Sequence, residues 1–192
     1  GQMAIWSDPN WFTPYHRPHS TDVAGLAPVL TGDDQYYNNI FIGGGKTVKS
    51  EDSLKYGLRV FIKEPDLSAW GTKKVNTPDK LPFWMNNNVY YNGALPYDKE
   101  TNFSKKTNFN PYVVIIEEEN KVYLEFLVDE SFINHKTQVI TTSRLGKVKM
   151  AREAFENPDS TALIIDIDFF RKKRSKQIPR QGLLRNRVRT GL

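Results

Sequence analysis

Residues 13–41 read TPYHRPHSTDVAGLAPVLTGDDQYYNNIF, and this stretch decides the fold. It ends in the run YNNIF at residues 37–41, and a similar run, NNVYY, returns at residues 87–91. Asparagine side chains that stack from one strand to the next can satisfy buried backbone groups. The two runs therefore predict stacked short strands that carry a polar surface.

The first half of the chain favours a parallel β-helix. Residues 36–42, 56–62 and 89–91 are short apolar or aromatic runs separated by long polar excursions, as expected of rungs joined by loops. A solenoid needs about three or more repeats to bury its faces. We therefore interpret residues 1–95 as the terminal rungs of a parallel β-helix with long loops.

The second half, residues 96–175, favours antiparallel β-structure of a sandwich-like kind. Residues 112–116 and 122–128 are β-branched and aromatic runs that predict a hairpin. The polar turn between them contains Asn120, which suits a positive φ. The fold class predicted for the whole chain is therefore all-β with little helix.

Three further elements are predicted in this half. Residues 136–142 alternate and are closed by a glycine, and residues 162–170 begin as an apolar run and then alternate, so both predict strands. Residues 149–156 form the helix-like stretch of the chain, and Pro158 lies just beyond it.

Composition and charge exclude several classes of function. The 192 residues contain no cysteine, which excludes disulfides, thiol catalysis and thiolate metal sites. No apolar run reaches membrane-spanning length. Residues 171–189 hold nine Lys or Arg and no acid, so the first 170 residues carry 18 basic and 22 acidic groups. We interpret residues 176–192 as a basic tail, either solvated or docked on an acidic face. Without interleaved aromatics it is weak evidence for nucleic-acid binding.

Two adjacent carboxyl groups are the candidates for acid–base chemistry. A glycosidase needs a pair of carboxyl groups across the sugar, and Asp33 and Asp34 are the natural candidates. Adjacent strand residues point to opposite faces, so only one of them can face a given groove. The alternative is that the pair forms an Asx turn leading into the next strand.

A stiff proline-bounded segment supplies the other polar candidates. Pro14 and Pro18 hold His16, Arg17 and His19 in extended backbone. His16 could protonate a leaving group, and Arg17 could clamp a sugar carboxylate, with His19 as a further substrate contact. The alternative is that each histidine hydrogen-bonds backbone at an irregular edge. The ligand types would also suit zinc, but the spacing does not require it, so no metal site is predicted.

Aromatic residues crowd the first half of the chain, where flat rings could stack on sugars or pack in the core. Trp11 and Tyr15, set among prolines, are the better candidates for ligand contact. Tyr36 is a candidate as well, although its strand position also suits the core.

The segments TPYHRPHST, AGL, GDDQYYNNIF and NNNVYYNGALP, the hairpin from Val113 and the run PDSTALIIDIDFFRKKRS together carry a family resemblance. The chain resembles the C-terminal region of bacterial right-handed parallel β-helix proteins of the glycoside hydrolase type. The nearest group is the large secreted carbohydrate-active enzymes of gut Bacteroides. The resemblance implies a polysaccharide or oligosaccharide ligand, hydrolysis of O-glycosyl bonds, and a secreted, periplasmic or cell-surface location with the leader removed.

Three functions follow as hypotheses. The first is a glycoside hydrolase or its terminal piece, with Asp33, Asp34 and His16 as catalytic candidates. The second is a non-catalytic carbohydrate-binding or accessory module on the same fold. The third is a structural or nucleic-acid-interacting domain that uses the basic tail. We expect no cofactor, and we expect a homodimer joined through residues 6–39 because an open β-helix end exposes unpaired backbone.

Overall fold

The computed structural model describes residues 8–44, 81–119, 121–167, 173 and 187–191. Its strands are β1 (Asp8–His16), β2 (Val23–Val29), β3 (Asp34–Tyr37), β4 (Ile40–Ile42), β5 (Phe83–Asn86), β6 (Val89–Tyr91), β7 (Ser104–Lys106), β8 (Val114–Glu118), β9 (Lys121–Leu127), β10 (Ile140–Thr141), β11 (Ile164–Ile165) and β12 (Arg187–Gly191). Its helices are α1 (Glu130–Asn134) and α2 (Thr142–Leu145).

Parallel pairing joins the two asparagine-containing runs. β3 pairs with β5, from Asp34 opposite Phe83 to Tyr37 opposite Asn86. β4 pairs with β6, and β6 pairs with β7, so β4, β6 and β7 form one three-stranded sheet. The runs at residues 37–41 and 86–90 thus lie side by side in register. The stacking that the sequence predicts is confirmed for these strands.

An asparagine in the left-handed conformation turns the chain between each pair of strands. Asn38, Asn87 and Asn102 have φ values of 60°, 58° and 56°. Asparagine is the non-glycine residue that tolerates this region best, because its short polar side chain can hydrogen-bond locally. The three corners are stacked, because the strands on either side of them are paired in register.

Buried hydrogen bonds tie the corners together. The Asn88 Oδ1 accepts from the backbone N–H of Asn39 at 2.8 Å and from the Asn39 Nδ2 at 3.1 Å. The Asn88 Nδ2 donates to the Tyr36 carbonyl at 3.0 Å and to the Glu100 Oε1 at 2.8 Å. Both lone pairs and both amide protons of a fully buried side chain are therefore used. The backbone N–H of Asn88 also donates to the Glu100 Oε1.

Aromatic side chains fill the interior behind these corners. Tyr36 stacks on Phe83 with ring centroids 5.2 Å apart, and Phe41 stacks on Tyr90 at 5.1 Å. Phe83, Met85, Tyr90 and Tyr97 form the buried core. The Tyr90 hydroxyl donates to the Glu100 Oε2. Burial and this bond raise the pKa of Tyr90 above its ordinary value, so the hydroxyl stays protonated.

A third stacked segment was not predicted. Thr101 forms a parallel bridge to Asn86, only 15 residues earlier in the chain, and β7 continues the sheet beyond Asn102. This segment, TNFSKK, retains only the corner asparagine of the YNNIF and NNVYY runs. The side chains of Asn39 and Asn88 form a ladder of hydrogen bonds. Glu100 takes the next place in this ladder, because its Oε1 accepts from the Asn88 side chain as the Asn88 Oδ1 accepts from Asn39. The third segment therefore gave a weak signal in the sequence.

The antiparallel part consists of small separate sheets. β1 pairs with β2, and β10 pairs with β11. The predicted hairpin is confirmed as β8 and β9, and β12, from the predicted basic tail, adds to the far side of β9. The positive φ in the hairpin turn falls at Glu119. The predicted site for it, Asn120, lies outside the described residues.

Three sequence predictions of local structure need correction. Residues 149–156 are not helical, because Arg152 has a φ of 58° and Lys147 forms an antiparallel bridge with Ala154, so that the segment folds back as a turn. Residues 136–142 supply only the two residues of β10 before α2 begins. Residues 162–167 supply only β11 and single bridges at Ala162 and Ile167. The predicted run at 56–62 lies outside the described residues.

The fold is mostly β, with little helix, and combines small parallel and antiparallel sheets. No closed β-helix or facing pair of sandwich sheets is present in the described ranges. The parallel pairing there is limited to strands of three or four residues on either side of the asparagine corner. The all-β prediction is thus confirmed at the level of class.

We expect Asn88→Ala to lower the free energy of unfolding by about 2–4 kcal/mol, because each buried group that loses its partner costs about 1–3 kcal/mol. Urea denaturation measures the change. Asn108→Ala is the matched control, because Asn108 lies exposed in a turn, and it should change stability by less than about 0.5 kcal/mol. Equal effects of the two substitutions would contradict the structural role of Asn88.

Candidate functional site

The predicted aspartate pair lies where the chain enters β3. Gly32 has a φ of 121°, and a Cβ there would collide with the Leu81 backbone, so only glycine fits. Asp33 follows with a φ of 62°. Its Oδ2 accepts from the Lys149 backbone N–H at 2.7 Å, while its Oδ1 is buried without a hydrogen-bond partner among the described residues.

Asp33 and Asp34 point in different directions. Tyr36 packs into the core, and strand alternation places Asp34 on the same side as Tyr36. Asp33 instead contacts Lys149 in the second half of the chain. The divergence agrees with the expectation that the two carboxyl groups cannot serve one groove.

Burial changes the acidity of both carboxyl groups. Desolvation raises the pKa of Asp33, and the N–H and charge of Lys149 oppose part of that rise. Desolvation alone raises the pKa of Asp34. A carboxyl group with a raised pKa holds its proton at higher pH and is a candidate for proton donation.

Residues 138–149, which we call the strap, cross the outward face of β3 and β5. Gln35 donates to the Leu145 carbonyl at 3.0 Å, and Asn38 donates to the Gln138 carbonyl at 3.0 Å. The Lys149 N–H donates to the Asp33 Oδ2 in the same way. These three contacts show that the strap runs antiparallel to the segment from Asp33 to Asn38.

Cationic side chains of the strap cover two aromatic rings on that face. The Arg144 Cζ lies 5.3 Å from the centroid of the Tyr37 ring, and its Nη2 donates to the Asn86 Oδ1 at 2.8 Å. The Lys149 Nζ lies 5.4 Å from the centroid of the Trp84 ring. Both contacts fall within the range of cation–π attraction.

The two predicted histidines lie at the β1–β2 connection, where His16 is the last residue of β1 and His19 lies in the turn. The His16 Nδ1 is 2.9 Å from the Thr21 carbonyl oxygen, so this ring closes the turn through a backbone contact. His19 has a φ of 56°, and its Nε2 lies 2.9 Å from the Glu156 Oε1. The turn is thereby tied to a loop distant in sequence. Arg17 is exposed.

The aromatic candidates lie in different surroundings. The Trp11 side chain is 66% exposed. Tyr15 lies against Gly25, where a Cβ would approach the Tyr15 hydroxyl oxygen to 2.6 Å. Tyr36 is part of the core stacking described above. The exposure of Trp11 leaves its ring open to a ligand, whereas Tyr36 is held by packing.

The predicted residues therefore fall into two groups. Asp33 contacts the strap, whereas His16 and His19 lie at the end of β1 and in the turn that follows it. Among the described residues no hydrogen bond joins one group to the other. The catalytic roles of Asp33, Asp34 and His16, and the substrate contacts of Trp11, Tyr15, Arg17, His19 and Tyr36, stay predictions. The homodimer does as well.

Trp84, Glu100, Arg144 and Lys149 were not among the predicted site residues. Aligning the two asparagine-containing runs further towards the N-terminus would have placed Trp84 beside Gln35, as the parallel sheet does. Glu100 and the strap residues carry no such pattern. Their positions follow from the path of the chain.

The described part of the chain contains no group of three or more His, Asp or Glu side chains arranged to hold a metal ion. The same part contains no helix that is long and apolar enough to cross a membrane.

The chain matches no protein-family model and no curated protein. Among solved structures it is similar to XylC, solved in complex with xylose, with a TM-score of 0.76 and 31% sequence identity. The similarity covers 97% of this chain, and the chain spans 30% of the XylC chain. The fold is thus similar to that of part of a larger protein that was solved with a sugar.

Asp34→Asn should raise the melting temperature at pH 7, and the gain should shrink as the pH falls towards 3.8. The raised pKa means that Asp34 stabilises the folded state fully below its ordinary pKa of 3.8 and loses this contribution as the pH rises through the folded value. Asparagine removes the cost of burying the charge. Thermal melts from pH 3.5 to pH 7 measure the effect.

Asp98→Asn, at an exposed turn, is the control and should leave the melting temperature unchanged throughout this range. A loss of stability in Asp34→Asn at pH 7 would contradict the desolvation of Asp34.

Proposed function

We propose that this chain is part of a carbohydrate-active protein, related to glycoside hydrolases, whose ligand is a xylose-type sugar or a polymer of it. The similarity to XylC in complex with xylose, over 97% of the chain, is the observation that carries the proposal. Because the chain spans 30% of XylC, we propose that this chain carries one part of a larger sugar-binding site and that this part binds sugar on its own.

We further propose that the parallel strands are rungs of a parallel β-helix. Three segments in register, each turned by a left-handed asparagine, support this interpretation. A β-helix presents side chains from successive rungs along one groove, which suits an extended saccharide. A secreted, periplasmic or cell-surface location would accompany such a ligand.

Asp34 is the residue we propose for acid catalysis if the protein hydrolyses its ligand. Its desolvated carboxyl has a raised pKa, as a proton donor to a glycosidic oxygen requires. The partner carboxylate would come from elsewhere, since Asp33 faces the strap.

The engagement of Asp33 favours a second candidate function, a non-catalytic sugar-binding module. A nucleophile or base needs a carboxylate oxygen that the substrate can reach, whereas the Asp33 Oδ2 accepts from the Lys149 N–H and the Asp33 Oδ1 is buried beside the strap. Such a module would bind the sugar and leave the bond intact.

Calorimetric titration with xylose and xylotriose, together with turnover of xylotriose, tests the proposal. We expect binding by the wild-type chain, and Asp34→Asn should abolish any turnover while the chain stays folded. Asp98→Asn should change neither binding nor turnover. Binding without turnover in the wild type would select the non-catalytic module, and no binding of either sugar would contradict the proposed function.

A further inference from the structure

The contact between the strap and the outward face of β3 and β5 leaves several buried polar atoms without partners. Among the described residues these atoms are the Asp33 Oδ1, the Gln35 Oε1, the Asn38 Oδ1 and the Arg144 Nε. Each of these atoms belongs to a residue that makes a hydrogen bond between the strap and this face through another of its atoms. The strap therefore fits this face incompletely.

Unpaired buried groups weaken the attachment of the strap. Each one costs free energy that a hydrogen-bonding partner would recover. The secondary structure of the strap is also short, because it consists of a two-residue strand, β10, and a four-residue helix, α2. Segments with few regular hydrogen bonds open at lower free energy than the core. The strap thus has the features of a segment that can detach locally.

The face beneath the strap has the chemistry of a sugar-binding surface. Tyr37 and Trp84 lie on the outward sides of neighbouring strands, since Gln35 is opposite Trp84 and Tyr37 is opposite Asn86. Flat rings flanked by amide and carboxylate groups are typical of saccharide sites. Sugar hydroxyls both donate and accept hydrogen bonds, so they could satisfy unpaired acceptors and an unpaired donor.

Strap cations occupy the positions that a sugar would use. Arg144 covers the Tyr37 ring and Lys149 covers the Trp84 ring. A sugar ring stacked on either aromatic would have to displace the cation above it. The cations and a saccharide are therefore competitors for the same two rings.

We propose that the strap is a displaceable cover over a saccharide-binding face formed by Gln35, Tyr37, Asn38, Trp84 and Asn86. The proposal rests on the proposed function for the class of ligand. It adds a binding subsite on the side of β3 opposite to Asp34, separate from the proposed catalytic acid, and a segment that controls access to this subsite. Ligand binding releases residues 138–149, and weakening the strap strengthens binding.

Arg144→Gln is the test variant, because glutamine retains an amide donor for Asn86 but removes the cation above Tyr37. We expect this variant to bind xylotriose about three- to tenfold more tightly, the range that corresponds to loss of a partly exposed cation–π contact. Lys136→Gln removes an exposed cation from the preceding segment and should leave the affinity unchanged. Tyr37→Leu removes a ring and should weaken binding. Thermal melts establish that each variant is folded.

Hydrogen exchange followed by mass spectrometry supplies an independent readout in the wild-type chain. Saturating xylotriose should accelerate exchange in peptides covering residues 138–149. Peptides covering β8 and β9 should be unaffected.

The outcomes separate the two proposals. If xylotriose binds Arg144→Gln with unchanged or weaker affinity, or slows hydrogen exchange in the strap, the proposal that the strap is a displaceable cover is wrong. The proposed function is then unaffected. Absence of binding in every folded variant would overturn the proposed function and, with it, the saccharide subsite.

Discussion

The side chain of Asn88 is the contact on which the rest of the described structure depends. It lies between Asn39 and the Glu100 carboxylate and uses every donor and acceptor that it has. Parallel strands of three or four residues contribute few hydrogen bonds of their own. Because an unpaired polar group in the core is costly, the ladder fixes the register of the stack as well as its stability.

This register determines what the outer surface offers. With Tyr36 and Phe83 turned inwards, alternation turns Gln35, Tyr37 and Trp84 outwards onto one face. The strap meets that face through only a few polar contacts and two cations above aromatic rings. The hydrogen bonds that hold the strands in register therefore also determine which rings and amides face outwards, where a saccharide would contact them.

Local sequence patterns predicted the fold class, the pairing of the asparagine runs and the hairpin of β8 and β9. These features depend on side-chain alternation and turn chemistry, which are visible within a few residues. The strap and the Glu100 contact were not predictable in the same way, because they join residues distant in sequence without a repeated pattern. The false helix at residues 149–156 has a different origin: Arg152 takes a left-handed conformation and Lys147 bridges Ala154, so the segment is a turn. For the candidate site, the sequence predicted that the Asp33 and Asp34 side chains diverge, but it did not predict the segment that covers Asp33.

Hydrogen exchange at the backbone N–H groups of Asn39 and Asn88, measured by NMR, tests the central role of the ladder most directly. Both groups donate to buried side-chain acceptors. We predict that they exchange only through global unfolding, so that their opening free energy equals the free energy of unfolding from urea denaturation. Exchange of either group through local fluctuations, while amides of β9 remain protected, would contradict the account.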